Sequence, residues 1–221
     1  MKKIAIFDLD GTLTCSDNFK SFMLKILIKS PKKWIFIPYL LYSFLRFFFF
    51  RDFTRRSKLK AIFTRIILKN QKKEFVETEA NKYVDKMIHN LNENVFNYFN
   101  EFKRLNHVTI LATGSLDVYV KYFVKKMGLN FYVATELELK NSRFTGNIIN
   151  SNCIERKKFL KINNLLKKNN FCWSKATFFS DDISDLPCFK SAKNNFFINP
   201  KKSDLKKLNN SKVNYNKLIS K

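Results

Sequence analysis

The sequence predicts an α/β fold in which a doubly wound parallel sheet carries a largely helical insertion after its first strand. Two observations predict the sheet: short apolar runs alternate with segments of helical spacing, and polar residues follow several of these runs. A third observation predicts the insertion, because residues 55–103 contain no Gly or Pro and repeat their apolar positions at helical spacing. A chain of 221 residues, 45% of them hydrophobic, is long enough to bury the core that this fold needs.

The first predicted strand, residues 3–8, leads into two closely spaced carboxylates, Asp8 and Asp10. Residues two apart in an extended chain point to the same side, so both can face one pocket at the strand's carboxyl end, where open α/β sheets bind ligands. Gly11 allows a sharp turn there. Two close carboxylates need a shared proton or a cation, and oxygen ligands suit Mg²⁺. The alternative is an ordinary acidic turn, since Asp-Gly is a common turn pair.

The insertion is predicted to begin with a helix over residues 17–30. Asp17 suits the start of this helix and Pro31 closes it. The helical pattern of residues 55–103 then continues to the second predicted strand, so most of the insertion is helical.

The apolar segment 34–50 is the most unusual part of the insertion, and basic residues flank it within 32–56. Its charge-free part, 34–45, is too short to span a bilayer, which needs about 20 apolar residues. Aromatic residues with basic flanks favour the membrane–water boundary, which makes an anionic membrane surface a candidate partner of 32–56. The alternative is that the segment is buried as part of the core of a helical cap.

Polar residues follow the first, second and fourth predicted strands, and the carboxyl ends of parallel strands meet at one edge of a sheet. The later predicted elements are, in chain order, a strand at 108–113, a helix from Ser115 to about Met127 that Gly128 ends, a strand at 131–134, a hairpin at 136–149, a helix at 155–168, strands at 176–179 and 195–198, and a loose or weakly helical tail at 201–221.

The net charge of +24 would attract nucleic acid, anionic lipid or phosphorylated substrates. An AT-rich genome would also produce this abundance of Lys, Asn, Ile and Phe with only 4 Gly, so the charge permits such partners without selecting one. Nucleic acid is not the expected partner, because no binding motif is visible and the charge is spread along the chain. The 4 cysteines form no C-x-x-C pair, which fits a reducing compartment, and carboxylates interrupt the apolar N-terminus, which argues against a secretory signal.

The residues predicted at the sheet edge match the requirements of phosphoryl transfer. Asp8 can attack phosphorus to form an aspartyl phosphate, and Asp10 can protonate the leaving alkoxide and then activate water. The Thr113 hydroxyl and backbone N–H groups around Gly114, at a helix start, can bind phosphate oxygens.

Three further groups complete the candidate site. A lysine at 157 or 158 can supply a mobile positive charge. Asp181 can complete a Mg²⁺ site with Asp8 and a backbone carbonyl, while Asp185, one helical turn on, can hold the lysine or assist the metal. The candidate metal group is therefore Asp8, Asp10, Asp181 and Asp185.

These motifs resemble the haloacid dehalogenase (HAD) superfamily of phosphatases over about residues 1–200. Residues 8–12, Asp-Leu-Asp-Gly-Thr, are similar to its first motif, Thr113 to its Ser/Thr motif, and residues 180–187 to its last acidic motif. The lysine motif departs from the family because the usual glycine before the lysine is absent. The family spacing selects Lys158 over its neighbour.

The resemblance implies a three-layer Rossmann-like core that uses Mg²⁺ and an aspartyl phosphate. It divides the chain into a core of residues 1–13 and 104–200, a helical cap of 14–103 and a basic tail of 201–221. A cap after the first strand points to subfamily IB, which contains phosphoserine phosphatases and phosphatidylglycerophosphatase C.

Several details resemble the lipid-phosphate branch of this subfamily. They include Phe19 and Phe22 after the first motif, Asp185-Leu186-Pro187, and an apolar segment within the cap. Residues 13–16 lack the acidic residue usual in the phosphoserine branch. The resemblance therefore implies a cytoplasmic enzyme, held peripherally or anchored at the inner face of a membrane, that acts on a lipid phosphate such as phosphatidylglycerophosphate. A soluble phosphatase for phosphoserine or another small metabolite is the alternative.

Overall fold

The computed structural model describes residues 2–49 and 53–219, and within them the chain forms a six-stranded sheet and a separate two-stranded hairpin. The strands in chain order are β1 (Ile4–Phe7), β2 (Val108–Leu116), β3 (Phe131–Thr135), β4 (Leu137–Lys140), β5 (Arg143–Ile148), β6 (Ala176–Ser180), β7 (Asn194–Ile198) and β8 (Asn216–Leu218). The large sheet is parallel throughout, in the order β3-β2-β1-β6-β7-β8, and β4 pairs with β5. The predicted α/β class and hairpin are confirmed.

Helices cover both faces of the sheet. They are α1 (Asn18–Ile28), α2 (Ile37–Phe49), α3 (Phe53–Leu68), α4 (Lys73–Ile88), α5 (Glu93–Arg104), α6 (Asp117–Met127), α7 (Glu155–Lys168), α8 (Leu186–Ser191) and α9 (Lys202–Asn210), with short 3-10 helices at Pro31–Phe36, Trp173–Lys175 and Ile183–Asp185. Alternate β1 side chains enter two cores: Phe7 packs in the core shared with α1, α4, α5 and α6, and Ile6 in the one shared with α7, α8 and α9. This gives the three layers that the family resemblance implies.

The segment between β1 and β2 is helical where the structure describes it, as predicted. Asp17 caps α1 through a side-chain oxygen that accepts the Lys20 N–H at 3.1 Å, and Pro31 starts the 3-10 helix that follows. The helical stretch predicted at 55–103 forms α3, α4 and α5.

Two predicted features differ in the structure. The second strand continues through Gly114 and Ser115 to Leu116, with an irregular register against β3, so α6 starts two residues later than predicted. The tail is more ordered than predicted, because α9 buries Leu208 and β8 joins the sheet edge, where the Asn199 N–H donates to the Leu218 carbonyl at 2.9 Å. Its last two residues, 220 and 221, lie outside the described residues.

The apolar segment forms the 3-10 helix and α2, and its last residue, Phe50, lies outside the described residues together with 51 and 52. Within 34–46 only Leu40 and Ser43 are buried, and Ile35 is 80% exposed. Among the described residues, no helix combines the length and the apolar character needed to cross a membrane.

Candidate active site

The carboxyl end of β1 places Asp8 in the middle of the sheet edge. Phe7 pairs with Leu111 of β2 on one side and with Phe179 of β6 on the other, and the Asp8 N–H continues this ladder by donating to the Phe179 carbonyl at 2.9 Å. Its Oδ1 accepts the Leu9 N–H at 2.7 Å. The residue is 7% exposed, so its carboxylate is largely desolvated.

Lys158 joins Asp8 to Asp185. Its Nζ lies 3.2 Å from Asp8 Oδ2 and 2.7 Å from Asp185 Oδ2, and Ser180 Oγ donates to the same Asp185 oxygen at 2.7 Å. Burial lowers the pKa of Lys158, but the charges of Asp185 and Asp8 outweigh it and raise the pKa well above its usual value. Lys157 is exposed, so the structure places the neighbour selected by family spacing, Lys158, in the site.

The Asp10 side chain is held by three donors. Oδ1 accepts the backbone N–H and the side-chain Nδ2 of Asn18, each at 2.7 Å, and Oδ2 accepts the Ser115 hydroxyl. Burial raises the pKa of Asp10, and the hydrogen bonds from Ser115 and Asn18 oppose that rise. The first residue of α1 therefore orients a carboxylate that follows β1.

The turn after β1 fits closely against the loop after β6. Thr12 Oγ1 donates to Asp181 Oδ1 at 3.1 Å. Gly11 has a φ of +75°, and a Cβ there would overlap the Asp181 carboxylate, so both the conformation and the close approach require glycine. Burial, with the Asp182 charge as the next cause, raises the pKa of Asp181 to about 7.

The β2 end differs from the prediction in its local conformation. Thr113 is fully buried, and its Oγ1 accepts the Ser115 N–H at 2.9 Å. The Gly114 carbonyl accepts hydrogen bonds from Thr135 Oγ1, at 2.7 Å, and from Lys60 Nζ. Gly114 and Ser115 therefore lie on an extended strand instead of at a helix start.

Lys60 of α3, in the insertion, places a charged side chain beside the end of β2. Its Nζ lies 4.8 Å from the centre of the Phe19 ring. Burial lowers the pKa of Lys60 to about 8, and the charges of Asp10 and Asp17 partly oppose it.

Sequence reasoning did not single out Lys60 or Asn18, and it included Ser115 and Ser180 in motifs without giving either a role of its own. The spacing of Asn18 from Asp10 and the place of Ser180 at a strand end were visible signals. Nothing in the sequence distinguished Lys60, since it is one of 42 Lys and Arg residues.

The order of these groups along the chain agrees with a known family. A family model of the haloacid dehalogenase-like hydrolases matches residues 5–190. The chain belongs to this family. Membership of the HAD family makes it a hydrolase, and it confirms the resemblance that the three motifs carried.

Individual relatives agree with this assignment. Protein CicA of Caulobacter vibrioides is 24% identical over 162 residues, which cover 72% of this chain and 70% of CicA. A crystal structure of a protein of unknown function from Bordetella pertussis Tohama I has a TM-score of 0.76 at 14% identity and covers 97% of this chain and 98% of its own. A phospho-aspartyl intermediate analogue of phosphoserine phosphatase has a TM-score of 0.65 at 18% identity, covering 100% of this chain and 94% of its own. These structures share the HAD fold with this chain.

The donor set of the HAD site suits a hard cation. Asp8, Asp10, Asp181 and Asp185 are carboxylates whose pKa burial raises, and Asp185 Oδ1 has no hydrogen-bond partner among the described residues. No group of three Asp, Glu, His or Cys side chains within the described residues is arranged to hold a metal. A metal would therefore need main-chain or water oxygens beside the carboxylates, and an all-oxygen set of this kind fits Mg²⁺.

Proposed function

We propose that this chain is a Mg²⁺-dependent phosphomonoester hydrolase that works through an aspartyl phosphate on Asp8 and acts on a membrane lipid phosphate such as phosphatidylglycerophosphate. The observation that carries the proposal is the Asp8 carboxylate at the carboxyl end of β1, with Oδ2 3.2 Å from Lys158 Nζ in a chain of the HAD family. A buried carboxylate next to an ammonium is suited to attack an anionic phosphoryl group, because the cation offsets the repulsion between the two anions.

The reaction divides into two displacements. In the first, an Asp8 carboxylate oxygen forms a bond to phosphorus while the bond from phosphorus to the substrate alkoxide breaks. Asp10 gives its proton to the leaving alkoxide, and its raised pKa favours the protonated form that this step needs. In the second, Asp10 takes a proton from water, the water oxygen attacks phosphorus, and inorganic phosphate leaves as the Asp8 carboxylate is restored.

The remaining predicted site residues would bind the phosphate. Lys158 would pair with its oxygens, held in place by Asp185 and Ser180. Thr113 and the backbone at Gly114 would donate from the β2 end. Because the strand continues here, we expect single backbone N–H groups to contact the phosphate instead of a helix terminus.

The Mg²⁺ site would use the side chains of Asp8 and Asp181. Asp185, which pairs with Lys158, would assist this site. The three donors that occupy Asp10 leave its main-chain carbonyl as the ligand that this residue would supply. When bound, Mg²⁺ would neutralise the charge on the phosphoryl oxygens and favour the ionised form of Asp8, whose pKa burial raises well above its usual value.

The lipid assignment is supported by the exposed apolar segment. Within 34–46, every side chain except those of Leu40 and Ser43 is exposed, which argues against the alternative in which this segment is the core of a soluble cap. In this proposal residues 14–103 are the cap that selects the leaving group, residues 1–13 and 104–200 are the core, and the enzyme works at the cytoplasmic face of a membrane. The soluble alternative, phosphoserine or another small phosphometabolite, is favoured by the phosphoserine phosphatase likeness alone.

The test of the mechanism is Asp8→Asn, assayed with an aryl phosphate and Mg²⁺. We expect a loss of at least about 10³-fold in kcat/KM, because the amide is not a nucleophile. Asp204→Asn on α9 is the matched control and should keep full activity. Turnover by Asp8→Asn at the wild-type rate would overturn the mechanism.

The substrate is tested by comparing phosphatidylglycerophosphate in mixed micelles with phosphoserine, using wild type and Asp8→Asn. A higher kcat/KM for the lipid supports the proposal. A higher value for phosphoserine, with the protein wholly in the soluble fraction and indifferent to anionic vesicles, supports the alternative.

A further inference from the structure

A basic cavity of about 370 Å³ lies between the C-terminal half of α3 and the β4–β5 hairpin, and it shares no lining residue with the candidate active site. Its charged lining is made of Arg65 and Lys69 from α3 and the loop after it, and of Lys140 and Arg143 from the hairpin.

Main-chain contacts fix the walls of this cavity. Gly146 of β5 has a φ of +84°, and a Cβ there would lie 2.7 Å from Arg65 Cα, so hairpin and helix meet at backbone distance. Arg143 Nη1 donates to the Asn70 carbonyl at 2.7 Å, and the Asn70 N–H donates to the Phe144 carbonyl at 2.8 Å. The cavity is therefore shaped before any ligand arrives, which lowers the entropy lost on binding.

The charge of the cavity is one-sided. Four cationic side chains line it and no acidic side chain does. Glu138 lies beside this lining, where its Oε2 accepts from Thr145 Oγ1 at 2.6 Å and from Asn147 Nδ2 at 2.9 Å, and the four cations outweigh this one neighbouring carboxylate. Among the described residues, Arg65, Lys69 and Lys140 form no ion pair. Cationic side chains that line one cavity are complementary to an anion, and a phosphate group can accept hydrogen bonds from several of them at once.

The cavity adjoins the exposed apolar segment. Lys33 of the 3-10 helix donates through Nζ to the Lys69 carbonyl at 2.9 Å, which joins the start of that segment to the cavity rim. The residues directly after Lys33 are Trp34 and Ile35, 50% and 80% exposed. The position of Lys33 therefore continues the basic side chains of the cavity to the edge of the apolar surface.

We propose that this cavity binds the phosphate group of an anionic phospholipid headgroup while the exposed side chains of the 3-10 helix and α2 enter the membrane–water interface. Basic side chains beside exposed aromatic and aliphatic ones are complementary to the two chemistries of such a surface, anionic headgroups and acyl chains. The choice of lipid as the source of the phosphate rests on the proposed function, whereas the anion site itself does not.

The test measures binding of the full-length Asp8→Asn protein, which keeps any lipid phosphate intact, to vesicles of phosphatidylcholine with and without phosphatidylglycerol. The cavity variant is Lys69→Gln with Lys140→Gln. The matched control is Lys125→Gln with Lys168→Gln, which removes the same charge from exposed ends of α6 and α7. We expect binding only to the anionic vesicles, weakened about tenfold or more in the cavity variant and within about twofold in the control.

Each other outcome overturns a part of the proposal. Equal weakening of both variants would mean that net charge alone attracts the protein. If the parent protein did not bind the anionic vesicles, the proposal that it contacts a membrane surface would be wrong. Displacement of the protein from vesicles by millimolar glycerol 3-phosphate, acting through Lys69 and Lys140, would reassign the cavity to a soluble phosphate.

Hydrolysis of an aryl phosphate by the cavity variant with Asp8 intact separates this proposal from the proposed function. Activity equal to wild type with lost vesicle binding supports a site remote from the chemistry. Absence of hydrolysis in wild type would overturn the phosphatase proposal. The vesicle-binding result would still test whether the cavity binds a headgroup phosphate.

Discussion

The sheet edge and the apolar surface of the insertion depart in opposite ways from the usual partition of side chains. At the edge, Asp8, Lys158 and Asp185 are 7%, 3% and 1% exposed. On α2, Leu41 and Tyr42 are each 58% exposed. Charged residues are rarely buried unless paired, and large apolar patches are rarely left exposed, so both regions call for a functional explanation.

The two regions differ in which groups offset the cost of burying charges or exposing apolar side chains. The buried charges have their partners within the chain, because Lys158 bridges two carboxylates and Ser180 supports one of them. The exposed apolar side chains of α2 have no such compensation within the described residues, and in the proposed function a membrane surface would supply it. Changes at the edge should therefore lower stability and activity together, whereas changes on the surface should leave both nearly unchanged and alter only association.

The largest effect is expected from Lys158→Met. Removing the ammonium leaves Asp8 and Asp185 buried side by side, which costs about 3 kcal/mol of the free energy of unfolding. It also removes a cation that would bind the phosphate, so kcat/KM for an aryl phosphate should fall by about 10³-fold. Urea denaturation and steady-state kinetics measure the two effects.

Lys157→Met is the matched control, since it removes the same charge from the exposed neighbouring position. Wild-type stability and activity are expected for it. If Lys157→Met lost activity while Lys158→Met kept it, the assignment of the phosphate lysine would be wrong.

A smaller effect is expected from a neighbouring pair on α2. Leu40 is 4% exposed and belongs to the larger core, in which α2 packs against α3, whereas Leu41 is 58% exposed. Leu40→Ala should lower the free energy of unfolding by about 3 kcal/mol because it leaves a cavity. Leu41→Ala should change it by less than about 0.5 kcal/mol and should weaken binding to anionic vesicles. Equal destabilisation by both would show that the surface is packed in solution.

The positions of the carboxylates at the sheet edge could be predicted from the sequence because they depend on local rules. Alternation along one strand placed Asp8, and the convergence of parallel strand ends placed Asp181 near it. These inferences require only the order of strands and helices along the chain, and they do not require knowledge of how the helices pack. Lys158 lies on α7, and only the family resemblance selected it.

The unpredicted parts depend on contacts distant in sequence. Gly114-Ser115 suggested a break, yet pairing with β3 extends β2 to Leu116. The short strand β8 has no apolar pattern of its own and forms because β7 offers an edge. Lys60 lies 54 residues before Gly114, whose carbonyl it contacts, and it sits on α3, which approaches the hairpin closely at Gly146.

The smallest effect concerns Asp117, a partly buried carboxylate at the start of α6 that belongs to neither region. Its Oδ1 has no hydrogen-bond partner among the described residues, and burial, with the Glu136 charge adding to it, raises its pKa to about 6. The folded state therefore holds this proton more tightly than the unfolded state, whose pKa is near 3.8. Stability should fall as pH rises from about 4 to about 6 and stay lowered above that.

Asp117→Asn should remove this fall and raise the free energy of unfolding at pH 7 by about 1 kcal/mol, after allowance for partial exposure and the lost charge at a helix start. Urea denaturation from pH 4 to pH 7 tests it, with the difference between variant and wild type expected to grow with pH. Asp185→Asn is the contrasting change, since it removes a partner of Lys158 and should destabilise at pH 7. If both substitutions destabilised equally, Asp117 would have an unrecognised partner. The cost of burying its charge would then not distinguish Asp117 from the paired carboxylates of the site.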